Sequence, residues 1–156
     1  MSKKLKTYIT FILIPLAVGG LSAFLTRGNM DVFDTVTKPP LTPPAWLSPL
    51  CWTILYVLMG VASYLVAVSD EILRGNALLF YGVQLILNFV WPLIFFDLSL
   101  YLLAFVWLVI LWAIILVTML KFYKITERAG DLMLPYILWV TFAGYLNFGV
   151  FLLNKG

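Results

Sequence analysis

The sequence predicts an all-α fold, an integral membrane bundle of five transmembrane helices. Of its 156 residues, 63% are hydrophobic and only 11% are charged, whereas a soluble domain is about half apolar and about a quarter charged. The charged residues also divide the chain into five apolar runs, each near or above the length of about 20 residues that a helix needs to cross the hydrocarbon core. A chain this short has too little interior to hide so much apolar surface from water, so lipid must be its main solvent.

The charge-free runs locate the five helices, which we expect to form a single domain over residues 1–156. The second run opens with the prolines of residues 39–44, which cannot lie in a helix interior, so its helix begins near Ala45 or Trp46. Residues 27–45, which precede that helix, form a long loop. The predicted spans are 7–26, 46–69, 77–96, 98–120 and 132–153.

A cleaved signal peptide is the alternative interpretation of residues 1–26, because three lysines precede the apolar run. The run is longer than the hydrophobic region of a typical signal peptide, and Leu21-Ser22-Ala23 is a poor cleavage site. A first transmembrane helix is the favoured interpretation.

The basic residues indicate the orientation of the bundle. Five spans place the termini on opposite sides of the cell membrane, with seven basic residues on the amino-terminal side and three on the other. The seven are Lys3, Lys4, Lys6, Arg74, Lys121, Lys124 and Arg128, and the three are Arg27, Lys38 and Lys155. By the positive-inside rule, the N-terminus is cytoplasmic, and the loop 27–45 and the C-terminus are outside.

Composition removes several classes of function. The chain has no histidine and a single cysteine, Cys51, so neither a metal site nor a disulfide framework is expected. Its basic residues form no stripe that could neutralise nucleic-acid phosphates. No charged residue lies deep within a predicted span, which disfavours an ion-coupled pump.

Amides on the third span are the most informative polar groups, because polar side chains at membrane depth are energetically expensive. Gln84 and Asn88 are four residues apart, hence on one helical face, and Trp91 continues that face. The alternative to ligand binding is that both amides join neighbouring helices. Pro92 should kink the helix and free the carbonyl of Asn88.

Tryptophans beside small residues predict slots between helices. Trp52 and Tyr56 share a face of the second span near Gly60, and Trp139 shares a face of the fifth span with Ala143. Small residues cannot fill the space beside a large flat ring, so a pocket for a flat ligand is one interpretation. The other is ordinary packing or an interfacial aromatic belt, which we favour for Trp46, Trp91 and Trp107.

Three sequence blocks resemble the TspO/MBR family, also called tryptophan-rich sensory proteins or translocator proteins. The first is the string KPPLTPPAW at 38–46 followed by WTILYVLMG at 52–60 and SYLV at 63–66. The second comprises Gln84, Asn88, Trp91, Pro92, Phe95 and Phe96, and the third Pro135, Tyr136, Trp139, Phe142, Ala143, Leu146 and Asn147. The blocks occur in order and cover essentially the whole chain.

The resemblance implies a five-helix bundle that binds porphyrins and drug-like aromatic ligands beneath the first loop. It also implies light- and oxygen-dependent degradation of protoporphyrin IX. The candidate ligand-binding residues are Ser22, Trp52, Tyr56, Asn88, Trp139, Ala143 and Leu146, of which Trp52 and Trp139 are also the candidate catalytic residues.

We expect porphyrin to be the ligand or substrate, and we expect no metal or other cofactor. Without histidine, axial ligation could come only from Cys51, a methionine or a tyrosine, so metal-free porphyrin is favoured over haem. The two propionates of a porphyrin would lie at the pocket mouth near Arg27 or Lys38. A non-catalytic porphyrin sensor or receptor, a passive porphyrin transporter and a scaffold remain the alternatives to an enzyme.

The chain departs from the family pattern at several positions. Val32-Phe33 replaces an aromatic Trp-Tyr pair, so we expect the loop to close less tightly over the pocket. Phe148 and Leu152 stand where animal members have the Tyr and Arg that bind cholesterol, so cholesterol binding is not supported. Leu79 and Val83 replace small residues of the dimer face, although the resemblance still implies a homodimer.

Overall fold

The computed structural model describes residues 1–155 and contains five helices long and apolar enough to cross a membrane. This confirms the predicted all-α membrane bundle, and no strand is found within 1–155. The elements are α1 (Lys3–Thr26), α2 (Val32–Thr35), α3 (Leu47–Ala67), α4 (Arg74–Pro92) with a π-helical turn (Leu93–Asp97), α5 (Tyr101–Ile125) and α6 (Glu127–Asn154).

Several helices extend beyond the predicted spans. α1 begins at Lys3, and α5 and α6 are separated by Thr126 alone, so the charged segment expected to be a loop between them is helical. Charge-free runs measure the thickness of the apolar layer, whereas backbone hydrogen bonding continues into the polar headgroup region. Charged residues there do not end a helix.

The helices approach closely where glycine replaces a side chain. A Cβ added to Gly60 of α3 would lie 2.6 Å from the Cα of Ile12 in α1. Because the obstacle is backbone, the two helices pack at this point only with glycine. α3 is thereby held against α1 on one side while it also contacts α6 on the other.

Residues 27–46 cross one end of the bundle and are fixed to α6 at residues 37–40. Asn154 accepts from the Thr37 N–H (2.9 Å) and donates to the Thr37 carbonyl (2.8 Å). The Tyr145 hydroxyl donates to the Pro40 carbonyl at 2.7 Å. The ring of Pro39 packs so closely on Gly149 that an added Cβ would lie 2.6 Å from it.

Hydrogen bonding departs from the regular α-helical pattern in the last turn of α4, next to Pro92, while the kink stays a prediction. Proline has no N–H to donate to Asn88, and the next N–H, that of Leu93, donates to Val90. The carbonyl of Phe89 instead accepts from the Ser22 hydroxyl at 2.9 Å. The Trp107 indole donates to the carbonyl of Leu87 at 2.8 Å. These bonds tie α4 to α1 and α5.

Candidate functional site

A cavity of about 520 Å³ lies at the loop end of the bundle. Its walls come from the long helices, chiefly α1, α3, α4 and α6, and its roof comes from residues 30–34 and 42–45 of the loop. The volume falls within the range of about 300–1,000 Å³ typical of small-molecule sites, and such sites are mostly apolar. All seven candidate ligand-binding residues line this one cavity: Ser22, Trp52, Tyr56, Asn88, Trp139, Ala143 and Leu146. Their role in binding stays a prediction.

A hydrogen-bonded network forms the floor of the cavity. The Tyr56 hydroxyl donates to Asn88 Oδ1 at 2.7 Å, and Asn88 Nδ2 donates to the Tyr136 hydroxyl at 2.8 Å. Tyr136 in turn donates to Gln84 Oε1 at 2.6 Å. The network joins α3, α4 and α6, so both amides do connect neighbouring helices. Asn88 keeps one amide hydrogen for a guest, because only one is used by Tyr136.

Trp52 presents its ring from α3 against two tyrosines. Its indole stacks on Tyr56 with centroids 5.7 Å apart and meets Tyr136 edge-on at 6.2 Å. Tyr56 packs directly on Gly19 of α1, where an added Cβ would lie 2.1 Å from the edge of the tyrosine ring. The cavity wall is therefore a pre-arranged aromatic surface, on which a flat guest would need little ordering of side chains.

Trp139 contributes an indole from α6 whose N–H has no partner. Its Nε1 is buried and makes no hydrogen bond to any residue of 1–155. A buried donor without a partner is energetically costly, because the group has lost water and gained nothing. Because the nitrogen has almost no exposed surface, a guest atom could reach it only after neighbouring side chains move.

Trp91 lines the cavity as well, which corrects our interpretation of it as ordinary packing or an aromatic belt. Its indole stacks on Phe95 at 5.2 Å and donates to Asn147 Oδ1 at 3.0 Å, and Asn147 donates to the Tyr101 carbonyl at 2.9 Å. The signal was present in the sequence, because Trp91 shares the helical face of Asn88. Of the other two, Trp107 bonds the carbonyl of Leu87, and Trp46 is 67% exposed.

The mouth of the cavity carries acidic rather than basic side chains. Asp31 and Asp34 line it, whereas the Arg27 guanidinium lies 4.0 Å over the ring of Phe24 and outside the lining. Lys38 is also outside the lining, with its ammonium 5.1 Å from the ring of Phe33. Because Phe33 itself lines the cavity, the placement of propionates near Arg27 or Lys38 stays a prediction. The turn of α2 places residues 31 and 34 on the same face, which sequence spacing alone did not orient.

Other predicted features have definite places in the structure. Leu79, at the dimer face expected from the resemblance, is 62% exposed on the surface of the bundle. The homodimer itself stays a prediction. Within 1–155, no group of three or more metal-ligating side chains is found.

Comparison with known proteins agrees with the whole-chain resemblance. The model of the TspO/MBR family matches residues 11–153. The tryptophan-rich protein TspO of Chlorobaculum tepidum is 38% identical over 159 aligned positions that cover 99% of each chain. The tryptophan-rich sensory protein of Cereibacter sphaeroides is 38% identical, covering 78% of this chain and 76% of its own. The translocator protein of Bos taurus is 33% identical, covering 90% and 85%.

Proposed function

Since this chain belongs to the TspO/MBR family, we propose that its cavity binds a planar tetrapyrrole such as protoporphyrin IX and promotes light- and oxygen-dependent degradation of it. The observation that carries the proposal is the pair of indoles, Trp52 and Trp139, in the wall of one membrane-embedded cavity. Drug-like aromatic ligands would occupy the same space. The protein is a multi-pass membrane protein, and we propose that the cavity opens on the side opposite the cytoplasmic N-terminus.

Shape and polarity of the cavity support a flat apolar guest. Burial of an aromatic disc between Trp52, Trp91 and Leu146 removes apolar surface from water, which is the main favourable term in such binding. The remaining amide hydrogen of Asn88 would donate to an acceptor atom of the guest. The slot thus offers apolar faces with very few polar groups, as ligand sites usually do.

The proposed chemistry uses the indoles as electron donors. A photoexcited porphyrin accepts one electron from Trp52 or Trp139, which leaves an indole radical cation and a porphyrin radical anion. The porphyrin radical anion passes its extra electron to dioxygen, which gives superoxide, and the indole radical cation recovers an electron from a ground-state porphyrin, which leaves a porphyrin radical cation. Superoxide adds to that radical cation and the macrocycle opens, so the net reaction adds one dioxygen to one porphyrin and restores the tryptophan. None of these steps needs a histidine or a metal ion.

Illumination of the purified protein with protoporphyrin IX in air tests the proposal, with loss of the porphyrin Soret band as the measurement. Trp52→Phe and Trp139→Phe should each slow the loss, because each removes one of two electron donors. The double variant should slow it by about tenfold, which corresponds to a barrier about 1.4 kcal/mol higher. Trp112→Phe is the matched control, since Trp112 bonds Thr141 and does not line the cavity.

Equal degradation rates in wild type and in both cavity variants would refute the electron-transfer mechanism. Stoichiometric binding in the dark with no loss of porphyrin in the light would instead support the non-catalytic receptor. Movement of porphyrin across proteoliposomes without degradation would support the passive transporter.

A further inference from the structure

One face of α3 is turned toward α1. Its residues recur every three or four positions, and they are Pro49, Thr53, Tyr56 and Gly60. In the half of the bundle away from the loop this face is closed, because Gly60 packs on the backbone of Ile12 and Tyr56 packs on Gly19. The two helices therefore meet directly up to the level of Tyr56.

One helical turn nearer to the loop, the facing residues of α1 and α3 line the cavity. They are Gly20 and Ala23 of α1, and Pro49 and Thr53 of α3. All four are exposed, whereas Asn88 on the inner wall of the cavity is buried, and nothing lies within 4 Å of a Cβ added to Gly20. The cavity therefore reaches the outer surface of the bundle between these four residues, which we call the side window.

The side window opens to hydrocarbon and not to water. Leu21 and Phe24, beside it on α1, are exposed large apolar side chains, and so is Ile54 beside it on α3. No charged residue lies between Lys6 and Arg27 of the chain. A surface of this kind on a membrane-spanning helix contacts lipid tails.

The rim of the side window has no polar group left to hydrate. Gly20, Ala23 and Pro49 carry no polar side-chain atom, and the hydroxyl of Thr53 donates to the Pro49 carbonyl at 2.8 Å. Other backbone polar groups of a membrane helix are paired within the helix. The loop end of the cavity differs, because it leads toward water, where Asp31 is exposed. A hydrocarbon chain that leaves the cavity should therefore leave through the side window.

We propose that the side window holds a hydrocarbon chain of the guest, so that the ligand class of the cavity includes tetrapyrroles esterified with a long-chain alcohol. The ring lies against the aromatic wall, and the chain passes between α1 and α3 into the bilayer. The inference rests on the proposed function and deepens it, because the same ring site serves tetrapyrroles with and without a chain.

The bilayer makes such a chain compatible with tight binding. Each methylene group that moves from hydrocarbon into water lowers an affinity by about fourfold. A chain that leaves through the side window stays in hydrocarbon before and after binding, so its length should not weaken the complex. A chain forced out at the loop end would carry methylene groups into water and would weaken it.

The test measures binding of two esters of protoporphyrin IX in the dark, to protein in nanodiscs of phosphatidylcholine. One is the dimethyl ester, and the other carries one methyl group and one hexadecyl group. Ala23→Leu narrows the side window. Ala17→Leu is the matched control, because Ala17 is exposed on the same helix and does not line the cavity. The readout is the ratio of long-ester to short-ester affinity, in which partition into lipid is the same for every variant and cancels.

Ala23→Leu should lower the long-to-short ratio by about tenfold, because a diverted chain exposes about two methylene groups to water. Ala17→Leu should leave the ratio within about twofold of wild type. Gly20→Leu is a second window variant that the fold should tolerate, since nothing lies within 4 Å of the added Cβ, and it should act like Ala23→Leu. Ratios within twofold of wild type in both window variants would overturn the inference.

Photocrosslinking to the wild type locates the chain without any substitution in the protein. A diazirine near the ester end of the hexadecyl chain should attach to residues 20–23 or 49–53, whereas attachment to residues 30–34 or 42–45 of the loop would overturn the inference. If the dimethyl ester binds and the long ester does not, the side window does not hold a chain and the proposed function stands. If neither ester binds the wild type, the proposed function itself fails.

Discussion

The two halves of the bundle are built from the same kinds of residue, yet one is filled and the other encloses a cavity. The packed half, away from the loop, centres on Ala62, Val66, Phe122, Ala129 and Met133, all of which are fully buried. There, Tyr81 lies on Phe122 with ring centroids 5.9 Å apart, and Gly130 receives the ring of Tyr123. Every large ring has a side chain or backbone against it.

In the loop half, around the cavity, aromatic rings also pack against small residues. Its two candidate catalytic residues, Trp52 and Trp139, however line the cavity. The ring of Tyr56 packs on Gly19, and the ring of Pro39 packs on Gly149. Ala143, by contrast, lines the cavity together with both tryptophans. The difference lies in the connections. Thr126 alone joins α5 to α6 in the packed half, whereas residues 27–46 span the loop half and form a roof over it. The cavity therefore lies at the end of the bundle that the long loop covers, and the filled half lies at the end where α5 and α6 are joined by one residue.

Gly60→Ala should lower the free energy of unfolding most, because it removes the space that the close contact between α1 and α3 requires. An added Cβ would lie 2.6 Å from the Cα of Ile12, so a helix must move. Overpacking of this kind lowers the free energy of unfolding by about 3 kcal/mol. Denaturant-induced unfolding in detergent measures it.

Gly82→Ala is the matched control, since nothing lies within 4 Å of its added Cβ. Equal unfolding free energies for the two variants would show that the contact between α1 and α3 is not what holds the helices together.

Asn88→Ala should have an intermediate effect, because the side chain serves both the network and the cavity. Its removal leaves the Tyr56 hydroxyl without its acceptor and Tyr136 without a donor. We expect the free energy of unfolding to fall by about 1–2 kcal/mol, near the upper end for polar contacts in membrane bundles. Porphyrin affinity in the dark should fall as well.

Tyr136→Phe sharpens the interpretation of that result, because Tyr136 belongs to the network but does not line the cavity. It should lower stability by about 1 kcal/mol while porphyrin affinity changes by less than about threefold. A loss of affinity as large as that of Asn88→Ala would mean that the network, and not a direct contact, governs binding.

Asn154→Ala should give the smallest change in stability and a kinetic change in binding. The two hydrogen bonds to Thr37 are exposed, so their loss lowers the free energy of unfolding by about 0.5–1 kcal/mol. Because they fix the loop to α6, a bound porphyrin should dissociate about threefold faster. Stopped-flow fluorescence in the dark measures the rate, and an unchanged dissociation rate would show that the loop roof does not retain the guest.

Some of the site could be predicted before any coordinates were known. Helical spacing next to small residues selects Trp52 and Trp139, polarity at membrane depth selects Asn88, and the resemblance to a family selects the same positions. All three line the cavity. Trp91 was misjudged because a tryptophan near a span end also fits an interfacial belt. Spacing fixes the face of a helix, but it does not say what that face meets.

The sequence by itself determined that the chain is a membrane protein of five apolar helices, because the length and hydropathy of a span are local properties. It also determined which residues share each helical face. The tertiary structure decided the rest. That the mouth carries Asp31 and Asp34, that Trp139 keeps a free N–H, and that Ser22 bonds the Phe89 carbonyl all depend on how segments distant in sequence meet. Such contacts are set by the packing of whole helices and of the loop across them, and no local pattern encodes them.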